Sequence, residues 1–585
     1  MALLTVEYFQ MNNPTAQPNL VEPLSAGAGS DGLLRAPSRN ARLWWIGGFV
    51  LVFIAAVAVR AWIQFRAEIP PAMDPAYYPV QAWWLFNEGR LLYQDAPLIF
   101  VLDGLLAKIF IVAGMQSDSA YLVASQVVDC VTEPWVALFV FLFGFAWCGG
   151  ARRGIPVVIA GAVLAVLSAP VIRMVSDFEK NSLGLVWAAM SWWALWHAIG
   201  AVEMKLSRAL VARWFIVAAV ALALAALTHG GSFGCALFGA AAIMVIWFVI
   251  GGATKRTLIA GALAAALIGA MSLALLYVVS PSRARDLLAA PQKIFSGAQG
   301  MRGPGGPNGP RRDDMDAQDD RAERGPRGNR AGGFDPRENG PPRMGPRGGR
   351  PGMGGPPGMG GRDSHGTFIG LGVGMCAIIL VALRWRKETI ADRATIVGLG
   401  ALCIFLVFPL LNPEYAQRLN LMASVPVGIV FTFLLARVVT ATPPHFSSAL
   451  APPTKNVWRV AIAWLIAASV SYGAIHSITG NSTPGPVLTQ AELQELFDMR
   501  GEIAAPRTTL VVAAHGIEWW AGYALHTPVR MGKIPDDAFT KYSRVLILKK
   551  NKDDRRGRPD EQLVLPGNTR CVYEGTYFNL FEAAP

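Results

Sequence analysis

Acidic and basic side chains gather in short segments between long apolar runs. The first such segment holds Asp74, which follows two prolines and precedes a helical stretch, 80–88. The next segment packs Asp177, Glu179 and Lys180 into one tight connection. Ionisable groups near a bilayer are costly and usually functional. A carboxylate placed there can take a proton from a hydroxyl group, and an ammonium group can hold a phosphate.

Two later segments carry a histidine and an arginine. His229 follows one apolar run, and Tyr415 and Arg418 precede another. An arginine at the mouth of a helix bundle can bind a phosphate through two nitrogens. Structural interpretations stay open: Asp74 as a helix N-cap, His229 as a helix-end residue, and Arg418 as an interfacial anchor. The segment 176–181 is equally consistent with a solvated turn that contains a local ion pair.

The apolar runs predict an all-α polytopic membrane protein with about eleven transmembrane helices. A bilayer needs about 20 apolar residues in a helix. Lysine and arginine concentrate in alternate loops, which places the N-terminus in the cytoplasm and the four segments above outside. The predicted spans are 43–63, 121–147, 155–175, 183–202, 214–227, 233–250, 257–279, 368–383, 394–411, 419–435 and 460–478.

The transmembrane domain is expected to cover 43–479, with a first outer loop at 64–120 that contains interfacial helices. Three other regions complete the predicted organisation. The segment 97–114 is apolar but contains Asp103 and Lys108, so we expect a helix at the outer interface; a twelfth span would break the charge pattern. Residues 1–42 are expected to be a flexible cytoplasmic N-terminus. The Gly/Pro/Arg-rich insert 297–366 has too few aliphatic residues to order itself and is placed outside. The alternative is an arginine-rich arm that touches anionic lipid or polysaccharide.

The C-terminal residues 480–585 are predicted to form a small extracytoplasmic α/β domain. His515 lies between a strand and a helix, where it could be catalytic, although a structural or acceptor-binding role is favoured because no partner nucleophile or metal cluster is evident. The expected elements are helices 490–499 and 515–524 and strands 508–513, 544–548 and 571–573.

Composition excludes several classes of protein. Charged residues make up 16% of the chain, against about 25% in soluble proteins. The net charge of +12 does not indicate nucleic acid, because lysine and arginine lie between apolar runs rather than in one stripe. The six cysteines form no CxxC pair or disulfide framework.

The order of these loops resembles the GT-C membrane glycosyltransferases, the superfamily that includes protein O-mannosyltransferases and lipid A aminoarabinose transferases. The family pattern has one helix, an acidic outer loop, a short helix, G-x-x-x-Y and a proline-rich entry to an interfacial helix. Leu-Thr-His-Gly at 227–230 is similar to the family's Leu-Thr-Lys-Gly. The matching positions are Asp74, 82–88, Gly89 to Tyr93, Ala96-Pro97-Leu98, Arg152-Arg153, Ser-Ala-Pro at 168–170, the acidic loop 176–181, and Tyr415 and Arg418 ahead of Pro426. Two departures are Pro75 after the first acid and His229 in place of lysine.

The resemblance implies inverting transfer of a sugar from a polyprenyl-phosphate donor at the outer face of the membrane. The C-terminal domain and the insert suggest that this is a bacterial inner membrane. The acceptor would be a glycan, a lipid or a protein. No cofactor is required by the sequence, although the acids could hold a divalent metal, Mg²⁺ or Mn²⁺. The implied roles are Asp74 as base; Asp177 or Glu179 to assist, to orient the acceptor or to hold a metal; Lys180, His229, Arg418 and Tyr415 at the donor phosphate; and Tyr77 and Asp95 in the acceptor loop.

Two other functions remain open. A transporter or flippase for a lipid-linked sugar would show internal repeats and polar residues at mid-span. A non-catalytic assembly subunit of an envelope glycan machine would show a degenerate outer cavity. Uptake of lipid-linked sugar by vesicles would identify the transporter, and unchanged glycans after loss of the Asp74 carboxylate would favour the assembly subunit.

Overall fold

The computed structural model describes residues 39–251, 269–278, 364–408, 413–440, 485–551 and 565–585, with a few isolated residues between these ranges. The predicted insert 297–366 lies outside the described residues, apart from its last three. Most of the predicted span 257–279 and most of the N-terminal segment 1–42 lie outside them as well, and the predicted span 460–478 is described only in part.

Six described helical segments are long and apolar enough to cross a membrane, by length and composition: Arg39–Phe65, Ser117–Trp147, Arg152–Ile172, Glu179–Glu203, Arg208–Thr228 and Gly230–Ile250. They contain all or most of the first six predicted spans. The chain is therefore a multi-pass membrane protein, whereas the count of about eleven spans is not established. Shorter apolar helices cover Gly269–Val278, Ile369–Leu383 and Ser424–Val439.

The helices are numbered here in chain order. In the membrane part they are α1 Arg39–Phe65, α2 Tyr77–Glu88, α3 Leu98–Val112, α4 Ser117–Thr132, α5 Val136–Trp147, α6 Ile155–Leu167, α7 Ala169–Ile172, α8 Glu179–Glu203, α9 Arg208–Thr228, α10 Gly230–Ile250, α11 Gly269–Val278, α12 Ser364–Leu383, α13 Ile390–Leu406, α14 Pro413–Met422 and α15 Ser424–Thr440.

Several predicted boundaries were wrong for local reasons. The run 155–175 is interrupted at Ser168, which is extended, because Pro170 has no N–H with which to continue the helical hydrogen bonds of α6 into α7. The run 419–435 is divided by a turn at Ala423, so that α14 ends and α15 begins within it. The predicted interfacial segment 97–114 is helical as α3, at 15 residues too short to be counted among the spanning helices.

The C-terminal part forms a five-stranded mixed sheet in the order β2-β1-β3-β5-β4. Strands β2, β1 and β3 are parallel, and β3, β5 and β4 are antiparallel. Its elements are α16 Gln490–Asp498, β1 Thr509–Ala513, α17 Ile517–Leu525, β2 Val529–Met531, α18 Ala538–Lys541, β3 Arg544–Lys550, β4 Thr569–Glu574 and β5 Phe578–Ala583. The predicted helices and strands are confirmed, while β2, α18 and β5 were not predicted.

The hydrophobic core of the C-terminal sheet continues into the first outer loop. Val511, Leu546 and Trp520 share one buried cluster with Val80 and Trp84 of α2. The backbone of Ala72 also pairs with that of Pro486 in an isolated parallel bridge. The C-terminal elements therefore pack directly on the segment that carries Asp74.

Candidate active site

Asp74 lies just before α2, but its side chain does not cap that helix. The N-cap residue is Ala76, which makes no side-chain capping hydrogen bond. Asp74 contributes only its carbonyl oxygen to the turn, accepting from the Tyr77 N–H at 3.0 Å. The N-cap interpretation of Asp74 is therefore wrong, and its carboxylate is left to contact other parts of the molecule.

Asp177 joins residues 176–181, predicted as the second outer loop, to the first outer loop. Its Oδ1 accepts from the backbone N–H groups of Met73 and Asp74, both at 2.9 Å. The hydroxyl of Tyr78 donates to the Asp177 carbonyl oxygen at 3.2 Å. Burial raises the pKa of Asp177 to about 6, against the lowering effect of the two backbone N–H donors, and the nearby Asp74 carboxyl raises it further. These contacts make Asp177 a positioning residue for Asp74.

Positive charges from two distant loops act on the half-buried Asp74 carboxyl. Burial raises the pKa of Asp74 above its ordinary range. His515, a hydrogen bond from Trp519, and the charges of Lys180 and Arg418 act in the opposite direction. Three of the predicted segments therefore lie around one carboxylate, together with a segment of the C-terminal sheet region.

Lys180 is paired with Asp95. The Lys180 Nζ donates to Asp95 Oδ2 at 2.6 Å, and the Tyr77 hydroxyl donates to the same oxygen at 2.5 Å. The Lys180 ammonium also lies 5.1 Å from the centre of the Tyr77 ring. Because Asp95 is almost fully buried, this ion pair holds the Lys180 ammonium against Asp95 and Tyr77 of the first outer loop.

His229 is held as a helix-end residue. It precedes α10, and its Nδ1 accepts from the Ser232 N–H at 3.3 Å. The Ser232 hydroxyl donates to the carbonyl oxygen of Asn181 at 3.4 Å. This hydrogen bond links residues 228–233, predicted as the third outer loop, to the second outer loop. Arg418 is exposed on α14, whereas the side chain of Tyr415 on the same helix lies outside the described residues.

Glu179 lies apart from Asp74, although only one residue separates it from Asp177. It begins α8 and is buried. The strongest charge interactions of Glu179 are with Asp103, Asp129 and Arg60. The acidic pair predicted from the sequence is therefore divided between the site around Asp74 and a buried polar cluster within the helix bundle.

That buried cluster was not predicted. Arg60 donates to the carboxylate and the carbonyl oxygen of Asp129, at 2.5 and 2.9 Å, and both side chains are fully buried. Asp129 Oδ2 also accepts from Gln64 at 2.6 Å and from the Ser176 N–H at 3.1 Å. The signal available in the sequence was the presence of ionisable residues inside apolar runs. The cluster supports the loop that carries Asp177.

The contribution of α17 to the site was also missed. The Trp519 ring makes edge contacts with Tyr77 at 4.7 Å and Tyr93 at 5.3 Å between ring centres. His515 Nδ1 lies 3.1 Å from Glu518 Oε1. Within the described part of the chain, one group of histidine and acidic side chains could share a metal ion, namely Asp74, His515 and Glu518. The acids predicted as metal ligands, Asp177 and Glu179, are not in it.

The fold is similar to that of a solved oligosaccharyltransferase. No family model and no curated protein matches the chain. Among solved structures, the apo oligosaccharyltransferase of Archaeoglobus fulgidus matches with a TM-score of 0.51 and 13% identity, over 86% of this chain and 69% of that one. This similarity confirms at the level of fold the resemblance found in the sequence.

Two structures of ArnT from Cupriavidus metallidurans also match. The apo structure has a TM-score of 0.45 and 12% identity, covering 93% of this chain and 100% of that one. The structure bound to undecaprenyl phosphate has a TM-score of 0.46 and 12% identity, covering 92% and 99%.

Proposed function

We propose that the chain is a membrane glycosyltransferase that moves a sugar from a polyprenyl-phosphate donor to a hydroxyl acceptor at the outer face. The observation that supports this proposal is that the positive charges of Lys180 and Arg418 both act on the Asp74 carboxyl and favour its ionised form. These residues come from three separate segments of a chain with a GT-C fold. A base beside two cations is what glycosyl transfer from a phosphate requires.

In this mechanism Asp74 takes the proton from the acceptor hydroxyl. The new bond forms between the acceptor oxygen and the anomeric carbon as the bond from that carbon to the phosphate oxygen breaks. The attack on the opposite face inverts the configuration. The departing polyprenyl phosphate keeps the bonding electrons, and its negative charge is stabilised by Arg418 and Lys180.

The contacts of Asp74 fit the role of a base. Its Oδ1 is buried and has no hydrogen-bond partner among the described residues. The backbone on either side is fixed by the two hydrogen bonds to Asp177, which leaves the carboxylate oriented without occupying that oxygen. Preorganised groups of this kind reduce the cost of reaching the transition state.

The decisive experiment measures release of polyprenyl phosphate by the purified full-length protein from radiolabelled polyprenyl-phosphate hexoses and pentoses. We expect turnover by the wild type and at least about a 100-fold loss in Asp74→Asn, because removing a general base costs about 10²–10⁴-fold. Asp536→Asn, an exposed carboxylate in the C-terminal sheet region, is the matched control. Full activity of a folded Asp74→Asn variant would reject this base.

If a folded wild-type sample released no polyprenyl phosphate from any of the donors, the proposed glycosyl transfer would be rejected. Transport is then tested by uptake of the same labelled donors into proteoliposomes. The assembly function is tested by recovery of partner proteins from native membranes.

A further inference from the structure

Asp74 meets two ligand-forming side chains of the C-terminal sheet region. One ligand atom from each of Asp74, His515 and Glu518 can be chosen so that all three lie within 4.8 Å of one another. His515 follows β1, and Glu518 lies in the first turn of α17, three residues later. Gly516 adopts φ +88 between them, where a Cβ would lie 3.4 Å from the Met73 carbonyl oxygen. The sharp turn therefore brings both side chains to the first outer loop.

Two carboxylate oxygens in this group are buried and accept no hydrogen bond from the described residues. Glu518 is 2% exposed, and its Oε2 has no hydrogen-bond partner in the described part of the chain. The same holds for Asp74 Oδ1 within that part. A buried carboxylate oxygen without a partner is costly, and each such atom calls for a ligand, an ion or a proton. The short contact from His515 to Glu518 Oε1 does not satisfy either oxygen.

We propose that Asp74, His515 and Glu518 bind one divalent transition-metal ion of the zinc, cobalt or manganese class. One imidazole nitrogen and two carboxylates are a ligand set that suits zinc and its neighbours, whereas Mg²⁺ and Ca²⁺ prefer oxygen ligands alone. Three protein ligands leave at least one coordination position for water or a substrate oxygen. The ion would join α17 to the first outer loop.

The functional consequence deepens the proposed function and rests on it, whereas metal binding itself does not. An ion bound to Asp74 would fix the orientation of the carboxylate that takes the proton of the acceptor hydroxyl. The C-terminal region would then contribute two metal ligands to the site around Asp74, in addition to its packing contacts with the first outer loop. Removing the ion should lower the rate of sugar transfer, because the Asp74 carboxylate would no longer be held in place.

The test measures metal binding directly. Full-length protein is stripped with a chelator and dialysed against Zn²⁺ with a competing chelator, and bound zinc is measured by mass spectrometry. We expect about one ion per chain in the wild type, and at least about tenfold weaker binding in His515→Ala and Glu518→Gln, since each removes a direct ligand. His526→Ala is the matched control, because His526 makes a similar contact with Asp118 at 3.1 Å at the same interface.

A second measurement needs no variant. The stripped wild type is titrated with Co²⁺ and its visible absorption recorded; d–d bands that saturate at one equivalent and vanish with Zn²⁺ support the site. Absence of stoichiometric binding, or unchanged affinity in a folded His515→Ala variant, would overturn it. Stoichiometric binding without sugar transfer rejects the proposed function alone, and full transfer by a metal-free protein rejects only the catalytic use of the ion.

Discussion

At the scale of single residues, the Asp177 side chain connects the second outer loop to the backbone of the first. One carboxylate oxygen accepts two backbone N–H groups beside Asp74. Hydrogen bonds to charged groups contribute about 1.5–3 kcal/mol each, and their loss frees the backbone that aims the proposed base. We therefore expect Asp177→Ala to lower kcat by about 100-fold, the effect of a displacement of about 1 Å.

Asp177→Asn separates positioning from chemistry. The amide oxygen can still accept from Met73 and Asp74, so this variant should keep kcat within about tenfold of the wild type. The measurement is kcat for polyprenyl-phosphate release by the two variants, with folding checked by thermal unfolding. Equal losses in Asp177→Asn and Asp177→Ala would show that the charge itself takes part and would contradict the positioning role.

The site residues divide into those that the sequence could place and those that it could not. Asp74, Lys180 and Arg418 were predicted together because loop charges and apolar runs determine the side of the membrane on which each loop lies. Sidedness does not determine the direction of a side chain within a loop, so the separation of Glu179 from Asp177 was missed. His515 required knowledge of how a distant sheet packs on the first outer loop, which no local pattern contains.

At the scale of elements, Asp118 at the start of α4 joins the membrane part to the C-terminal helices. Its carboxylate pairs with Arg500 at 2.8 Å and His526 at 3.1 Å, while its carbonyl accepts from the Tyr523 hydroxyl. Asp118→Asn removes the charge shared by both pairs. We expect faster hydrogen exchange in α17, because the segment opens more often when its contacts weaken.

Arg507→Gln is the control for this prediction. Arg507 pairs with Glu88 across the same interface, but its side chain is 70% exposed. Exposed ion pairs contribute about 0–1 kcal/mol, so exchange in α17 should hardly change. Equal exchange in the Asp118→Asn and wild-type proteins would mean that apolar packing alone holds the C-terminal region in place.

Helices α6 and α15 depend on glycine for their close approach. A Cβ on Gly161 would lie 1.8 Å from Thr432 Oγ1 and 2.8 Å from the Gly428 carbonyl oxygen, which is backbone and cannot rotate away. Overpacking of this kind costs about 1–3 kcal/mol, so Gly161→Ala should lower the Tm in detergent. Gly47→Ala on α1, where no atom lies within 4 Å, should leave the Tm unchanged or raise it. Equal Tm values for both variants would contradict this packing.

The elements themselves were largely predictable, for physical reasons that differ between membrane and sheet. Long apolar runs are unmistakable because the bilayer requires them. The strand β2 has only three residues, Val529–Met531, and is defined by its pairing with β1 rather than by its own sequence. The division between α14 and α15 was missed because a turn inside an apolar run leaves hydropathy unchanged.

At the scale of the whole molecule, the site around Asp74 depends on a charge network within the helix bundle. Asp129 of α4 binds Arg60 and Gln64 of α1 and the backbone of Ser176, the residue before Asp177. Ser176 itself adopts a positive φ of 73, a backbone conformation that residues other than glycine rarely adopt. The network therefore holds a strained connection in the position that lets Asp177 reach the first outer loop.

This dependence predicts that Asp129→Asn damages both stability and transfer. Breaking a fully buried ion pair leaves Arg60 uncompensated, at a cost of about 3–5 kcal/mol, and it weakens the acceptor of the Ser176 N–H. Thermal unfolding in detergent and polyprenyl-phosphate release should both fall. Arg570→Gln, which breaks a pair with Glu582 in which the arginine is 80% exposed, should cost less than about 1 kcal/mol. If Asp129→Asn lowered the Tm no more than Arg570→Gln does, the buried network would not be what supports the site, and Asp177 would have to hold Asp74 without it.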